Sequence, residues 1–167
     1  PIARFNDRWL ALLQRVQQHR GTTTVAVVGA GAGGVELLLA MQYRLRAVLQ
    51  AAGRNPDEVV FHLFTSSDVI LPTHNSGVRR RFDAVLAARG VQVHRHAAVT
   101  EVLPGRLCTS NGAVVDADEI VWVTRAGAAA WLQDTGLAVD ADGCLQVQDP
   151  LQTVTAPAIF AAGDVAS

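Results

Sequence analysis

Residues 3–19 carry Phe5, Trp9, Leu12, Leu13 and Val16 at helical spacing, a stripe that ends at Arg20-Gly21 and predicts an amphipathic helix. The next apolar run, Thr24-Val25-Ala26-Val27-Val28, has no polar break, which is the pattern of a parallel strand buried on both faces. A helix is predicted from about Gly33 to Ala52, with Gly53 as its C-terminal cap. After the loop Arg54-Asn55-Pro56-Asp57, residues Val59 to Phe64 form a second strand. Strand, helix and strand in this order make a βαβ unit, whose right-handed crossover lays the two strands parallel.

Further along, Leu71-Pro72-Thr73-His74-Asn75 is irregular, and Asn75 is a natural N-cap for a helix over 76–89 that closes at Gly90. A strand follows at 91–96. Segments 98–103, 106–109 and 113–116 then predict a short antiparallel meander, with turns at Pro104-Gly105 and Asn111-Gly112. Ile120-Val121-Trp122-Val123 is a further buried strand, and 126–137 is a small-residue loop and short helix carrying Trp131. The tail holds a strand near 145–148 and the apolar run Ala158–Ala162. The predicted class is α/β: a Rossmann-like parallel sheet with helices on both faces and a small antiparallel β meander.

Composition narrows the chemistry. A chain of 167 residues, 50% hydrophobic and 17% charged, is ample for a buried core. A net charge of -1 gives no electrostatic argument for nucleic acid. The chain has no lysine, its 14 Lys-or-Arg positions all being arginine, so no Schiff-base chemistry originates here. Cys108 and Cys144 match neither a redox CxxC nor a zinc pattern and suit a reducing compartment. No segment reads as a membrane span or a signal peptide. The first residue is Pro1, which suggests a segment of a longer chain.

Two strings carry candidate chemistry. Gly29-Ala30-Gly31-Ala32-Gly33-Gly34 follows a buried strand and opens a helix, the context that gives G-x-G-x-x-G its meaning. Gly29 permits the tight turn, Gly31 lets a diphosphate approach the backbone, and Gly34 lets helix and strand pack closely. The helix N-terminus then offers its free N–H groups to the phosphates. This predicts a dinucleotide site. The acid that would meet a ribose 2′-hydroxyl belongs about where Thr65 and Ser66 stand, and neither is acidic; the nearest carboxylate is Asp68. No arginine stands there for a 2′-phosphate, and Arg79-Arg80-Arg81 reads as a solvated face. Glu36 either serves the helix dipole or faces a nicotinamide.

The second string, Thr153 to Asp164, predicts a buried strand ending in Gly163-Asp164. That end either presents a carboxylate to a ribose or ribityl hydroxyl, or is a strand with a turn acid. His94 and His96 alternate on a predicted strand and would share a face, but no third metal ligand follows, so no metal is assigned. Arg125 is either exposed or directed at a cofactor pocket.

With both strings in hand the chain resembles the pyridine nucleotide–disulfide oxidoreductase superfamily, nearest its type II NADH dehydrogenase-like branch. Leu71-Pro72-Thr73-His74-Asn75, Arg79-Arg80-Arg81, Val121-Trp122-Val123-Thr124 and Ala130-Trp131-Leu132 are similar to the flavoprotein domain fused to selenide, water dikinase (selenophosphate synthetase). The resemblance implies that Gly29, Gly31 and Gly34 hold the NAD(P)H pyrophosphate and that Glu36 lies on the nicotinamide side. It implies that Gly163 and Asp164 meet FAD, and it brings Thr124 to the cofactor. Where the family has Thr-Gly followed by proline after strand 120–123, this chain has Thr124-Arg125 and no proline.

The organisation so implied is a linker helix (1–22), an NAD(P)H-binding domain (23–150) and the start of a returning FAD segment (151–167). Hydride would pass from NAD(P)H to FAD and on to an acceptor that the residues do not name. The rest of the FAD domain and a C-terminal domain would be partners in the same protein, with a selenophosphate synthetase domain as a further fused partner. The place implied is the cytoplasm, with peripheral attachment to the inner membrane face left open. Two other readings stand: a non-catalytic Rossmann scaffold or redox-sensing module beside a selenophosphate synthetase, and a flavin-free dehydrogenase that explains only the first string.

Overall fold

The computed structural model describes residues 2–124 and 128–167, with side chains from Phe5 onward; Arg125 lies outside the described residues. The chain forms two compact units, residues 1–124 and 125–167.

In the first unit, α1 (Ile2–Gln18) leads into β1 (Thr23–Val28). Next come α2 (Ala32–Ala51), β2 (Val59–Phe64) and α3 (Ser76–Ala88). β3 (Gln92–His94), β4 (Val99–Leu103), β5 (Arg106–Thr109), β6 (Val114–Asp116) and β7 (Glu119–Trp122) complete it. The main sheet has the order β3-β2-β1-β7 and is parallel throughout. Its register places Val25 beside Phe61 and Val27 beside both Leu63 and Val121. These residues share one face because side chains alternate along a strand.

That face is the main core. Leu12 and Val16 of α1, Val35, Leu38, Leu45 and Leu49 of α2, and Leu86 of α3 bury against Val25, Val27, Phe61 and Leu63. The opposite face carries Ala26, Val28 and Phe64, and here the covering residues are Ala97, Leu107 and Ala117 around the β4–β5–β6 meander. The α/β class stands as expected, with the three helices on one face where helices on both had been anticipated.

Helix ends follow their local chemistry. Asn75 accepts the Val78 N–H through its side chain at 3.0 Å, as an N-cap should. α2 ends in a Schellman pair, Gly53 N–H to the Gln50 carbonyl (3.0 Å) and Arg54 N–H to the Leu49 carbonyl (2.9 Å), with Gly53 at φ +67°. α1 is held to β7 by Arg8 and Arg15, which both pair with the Glu119 carboxylate.

The second unit has little regular structure. Ala130–Thr135 is a 3-10 turn carrying Trp131, and β8 (Val147–Gln148) pairs antiparallel with β9 (Gln152–Thr153). Leu132, Leu145 and Ala161 form its small core.

Candidate nucleotide-binding site

The turn between β1 and α2 is built by two close approaches of backbone. A Cβ on Gly29 would stand 2.2 Å from the Val123 carbonyl oxygen, and Gly29 has φ +115°, so only glycine is comfortable there. A Cβ on Gly34 would stand 1.8 Å from the Gly29 carbonyl oxygen. Gly29 N–H donates to Phe64 O at 2.9 Å and Val123 N–H to Val28 O at 2.8 Å, which ties the turn to the ends of both neighbouring strands. At Gly31 the situation reverses: an added Cβ would meet nothing within 4 Å.

Gly31 is the N-cap of α2, with φ -72° and ψ 180° and no side-chain cap. The first helical bond is Val35 N–H to Gly31 O at 3.1 Å. Among the described residues no acceptor pairs with the N–H groups of Ala32, Gly33 or Gly34. Gly31, Ala32 and Gly33 are exposed, so no side chain closes the approach. Open amides at the positive end of a 20-residue helix, beside a glycine that leaves space, fit a diphosphate.

Each expected site residue can now be placed. Ala30 is buried, and its carbonyl accepts the Leu71 N–H at 2.8 Å, so the β2–α3 loop braces the glycine turn. Leu71 does so at φ +50°, unusual for a bulky residue. The sequence carried no signal for this brace beyond the irregular Leu71-Pro72 pair. Thr65 and Ser66 follow β2 directly and lie beside the turn, Thr65 half-buried and Ser66 exposed. Glu36 is exposed in the second turn of α2. Thr124 is exposed just past β7, where its hydroxyl accepts the Trp122 indole N–H at 2.7 Å. Trp122 itself is 54% exposed, which corrects the expectation of a fully buried strand: β7 ends an edge of the sheet.

Gly163 and Asp164 belong to the second unit. Residues 158–162 are not the buried strand expected there; Ile159 and Phe160 are exposed, and only Phe160 makes an isolated bridge, to Gln152. The small local core of that unit reaches Ala161 alone within the run. Gly163 adopts φ +79°, and Asp164 is an exposed carboxylate on the following turn.

The histidine pairing differs from the expectation. His96 leaves the strand at φ +50°, so it does not share a face with His94. His94 instead reaches His62 on β2, Nδ1 of His62 to Nε2 of His94 at 2.9 Å, and stacks on Phe64 at 4.4 Å between ring centroids. No group of three or more potential ligands that could hold a metal occurs among the described residues.

Burial lowers the pKa of both imidazoles below 6.5, with the neighbouring His94 adding to the effect on His62. The unfolded chain therefore takes up protons at a higher pH than the folded one, and stability must fall as pH drops through 6.5 toward the lower folded values. Urea midpoints at pH 7.5 and 5.5 should show a loss at the lower pH that shrinks in His94→Phe; an unchanged loss would refute the role of this pair.

These features define the class: a glycine turn at a parallel strand's carboxyl end, opening a helix, in a Rossmann-type sheet. The family described as pyridine nucleotide-disulphide oxidoreductase matches residues 3–167, and the chain belongs to it. It is 32% identical to an "NADH dehydrogenase-like protein" of Mycobacterium tuberculosis, over 92% of this chain and 40% of that protein. It is 30% identical to the "Type II NADH:quinone oxidoreductase" of Haemophilus influenzae, over 86% of this chain and 33% of that protein. The chain thus spans well under half the length of these relatives. The structure of NDH2 from Plasmodium falciparum in complex with NADH superposes with a TM-score of 0.71 at 17% identity, covering 92% of this chain and 33% of the other. That likeness shows the shared fold.

Proposed function

We propose that this chain binds NAD(P)H at the Gly29–Gly34 turn as part of an FAD-dependent oxidoreductase that moves hydride from NAD(P)H to FAD and on to a further acceptor. The observation that carries the reading is the open space at Gly31 beside the unpaired amides of Ala32, Gly33 and Gly34. Those amides would hold the diphosphate, while Gly29 and Gly34 fix the turn by close packing. Thr65 and Ser66 would line the adenosine ribose, Thr124 would flank the other half of the dinucleotide, and Glu36 would orient the carboxamide. Bound there, the coenzyme would supply a hydride.

In this reading residues 1–22 are a linker helix, 23–150 the nicotinamide-nucleotide domain and 151–167 the start of a flavin segment in which Asp164 meets a ribityl or ribose hydroxyl. The remainder of a flavin site would come from other parts of a longer protein. The quinone named for the Haemophilus relative makes a quinone one acceptor to test. No helix among the described residues is long and apolar enough to cross a membrane, so any attachment of a cytoplasmic enzyme through these residues would be peripheral. The names of the relatives offer no support for a fused selenophosphate synthetase.

Calorimetric titration of the chain with NADH and NADPH tests the proposal. Saturable binding tighter than about 1 mM is expected for at least one coenzyme. Binding weaker than that for both would favour a non-catalytic scaffold.

A further inference from the structure

We propose that the adenosine-ribose end of this site is electrically neutral and takes the dinucleotide with or without a 2′-phosphate, and that Thr65 sets this tolerance. The inference rests on the nucleotide reading above. Val28 is in register with Phe64, and Gly29 N–H donates to the Phe64 carbonyl at 2.9 Å. The residue that follows Phe64 therefore stands beside the turn that would hold the diphosphate. From this strand end a carboxylate reads a ribose 2′-hydroxyl, or an arginine receives a 2′-phosphate. Thr65 can do neither.

Nor can a neighbour substitute for it. Thr65 Oγ1 accepts the Ser67 N–H at 3.2 Å, its own N–H donates to His94 O at 3.0 Å, and its carbonyl accepts the Ala97 N–H at 2.9 Å. Ser67 is fixed in turn, its carbonyl accepting the His96 N–H at 3.1 Å. The segment is locked with a hydroxyl where a charge could have stood. Ser66, exposed, adds a second neutral hydroxyl.

The charges nearby in sequence are of both signs, and none stands on Thr65–Ser67 itself. Asp68 is exposed. Arg95 is committed to Asp83 at 2.6 Å. Arg80 and Arg81 are exposed on α3, and with Arg79 they have no carboxylate partner among the described residues. Nothing on Thr65–Ser67 repels a phosphate, and nothing there requires one.

The test is titration of the whole chain with NADH and NADPH separately, at one ionic strength, for the natural sequence, Thr65→Glu and the neutral control Thr65→Gln. The natural chain should bind the two with dissociation constants within about threefold. Thr65→Glu places a carboxylate against the 2′-phosphate and should weaken NADPH by about tenfold or more while sparing NADH; Thr65→Gln should leave the ratio unchanged. If Thr65→Glu fails to fold by its melting curve, Ser66→Asp on the exposed neighbour carries the same charge to the same end. A natural preference above about tenfold for either coenzyme, or equal losses for both in the acidic variants, would overturn the inference while leaving the nucleotide site intact. Absence of binding by both coenzymes to the natural chain would overturn the nucleotide reading and this inference together.

Discussion

Replacing Gly34 by alanine should cost the fold about 3 kcal/mol or more, whereas Gly31→Ala should leave it nearly as stable and instead damage coenzyme binding. The Cβ at Gly34 would stand 1.8 Å from the Gly29 carbonyl oxygen, an impossible approach against backbone that cannot rotate away. The start of α2 would have to lift from β1, disturbing the packing of Val35 and Leu38 on the sheet. Gly31 is different: its φ of -72° suits any residue and nothing lies within 4 Å of the added methyl. The change there amounts to a poorer N-cap, about 0.5–1 kcal/mol. The methyl would nonetheless occupy the space through which a diphosphate reaches the amides, and affinity for NADH should fall about tenfold or more. Denaturant midpoints and calorimetric titration separate the two effects. If Gly31→Ala binds NADH as well as the natural chain does, the diphosphate is not held at this turn.

That contrast was half legible in the sequence. The strand, glycine turn and helix could be read from Val25–Val28 and the spacing of Gly29, Gly31 and Gly34, because local pattern and backbone requirement coincide there. Strand β2 was placed at its observed limits, and the Asn75 cap, the Gly53 and Gly90 helix ends and the meander were all visible, since each is set by residues within a few positions of one another. What could not be read depends on distant partners. The Leu71 N–H to Ala30 bond spans 41 residues of chain and uses a residue whose type gives no hint of a positive φ. His94 pairs with His62 on a neighbouring strand, not with the nearer His96, because the chain turns directly after β3. The crossovers from β1 to β2 and from β2 to β3 put α2 and α3 on one face, a matter of topology that apolar periodicity leaves undetermined.

Phe61 and Phe160 both sit in apolar runs, yet alanine should be severe at one and nearly silent at the other. Phe61 is fully buried, in register with Val25, and shares its core with residues of α1, α2 and α3. Removing its ring leaves a cavity in a region tied to every helix of the first unit, and about 3–5 kcal/mol of stability should be lost. Phe160 is 60% exposed and makes one isolated bridge, to Gln152. Its alanine variant should change stability by no more than about 0.5 kcal/mol. The denaturation midpoint of each variant decides the matter, and a large loss at Phe160 would contradict the exposed tail. The physical distinction is partnership. Val59–Phe64 has strands on both sides and helices over one face, whereas 158–162 has a single bridge and no continuous ladder to bury it. Hydrophobicity alone says that a segment would gain from leaving water, and only its pairing decides whether it does.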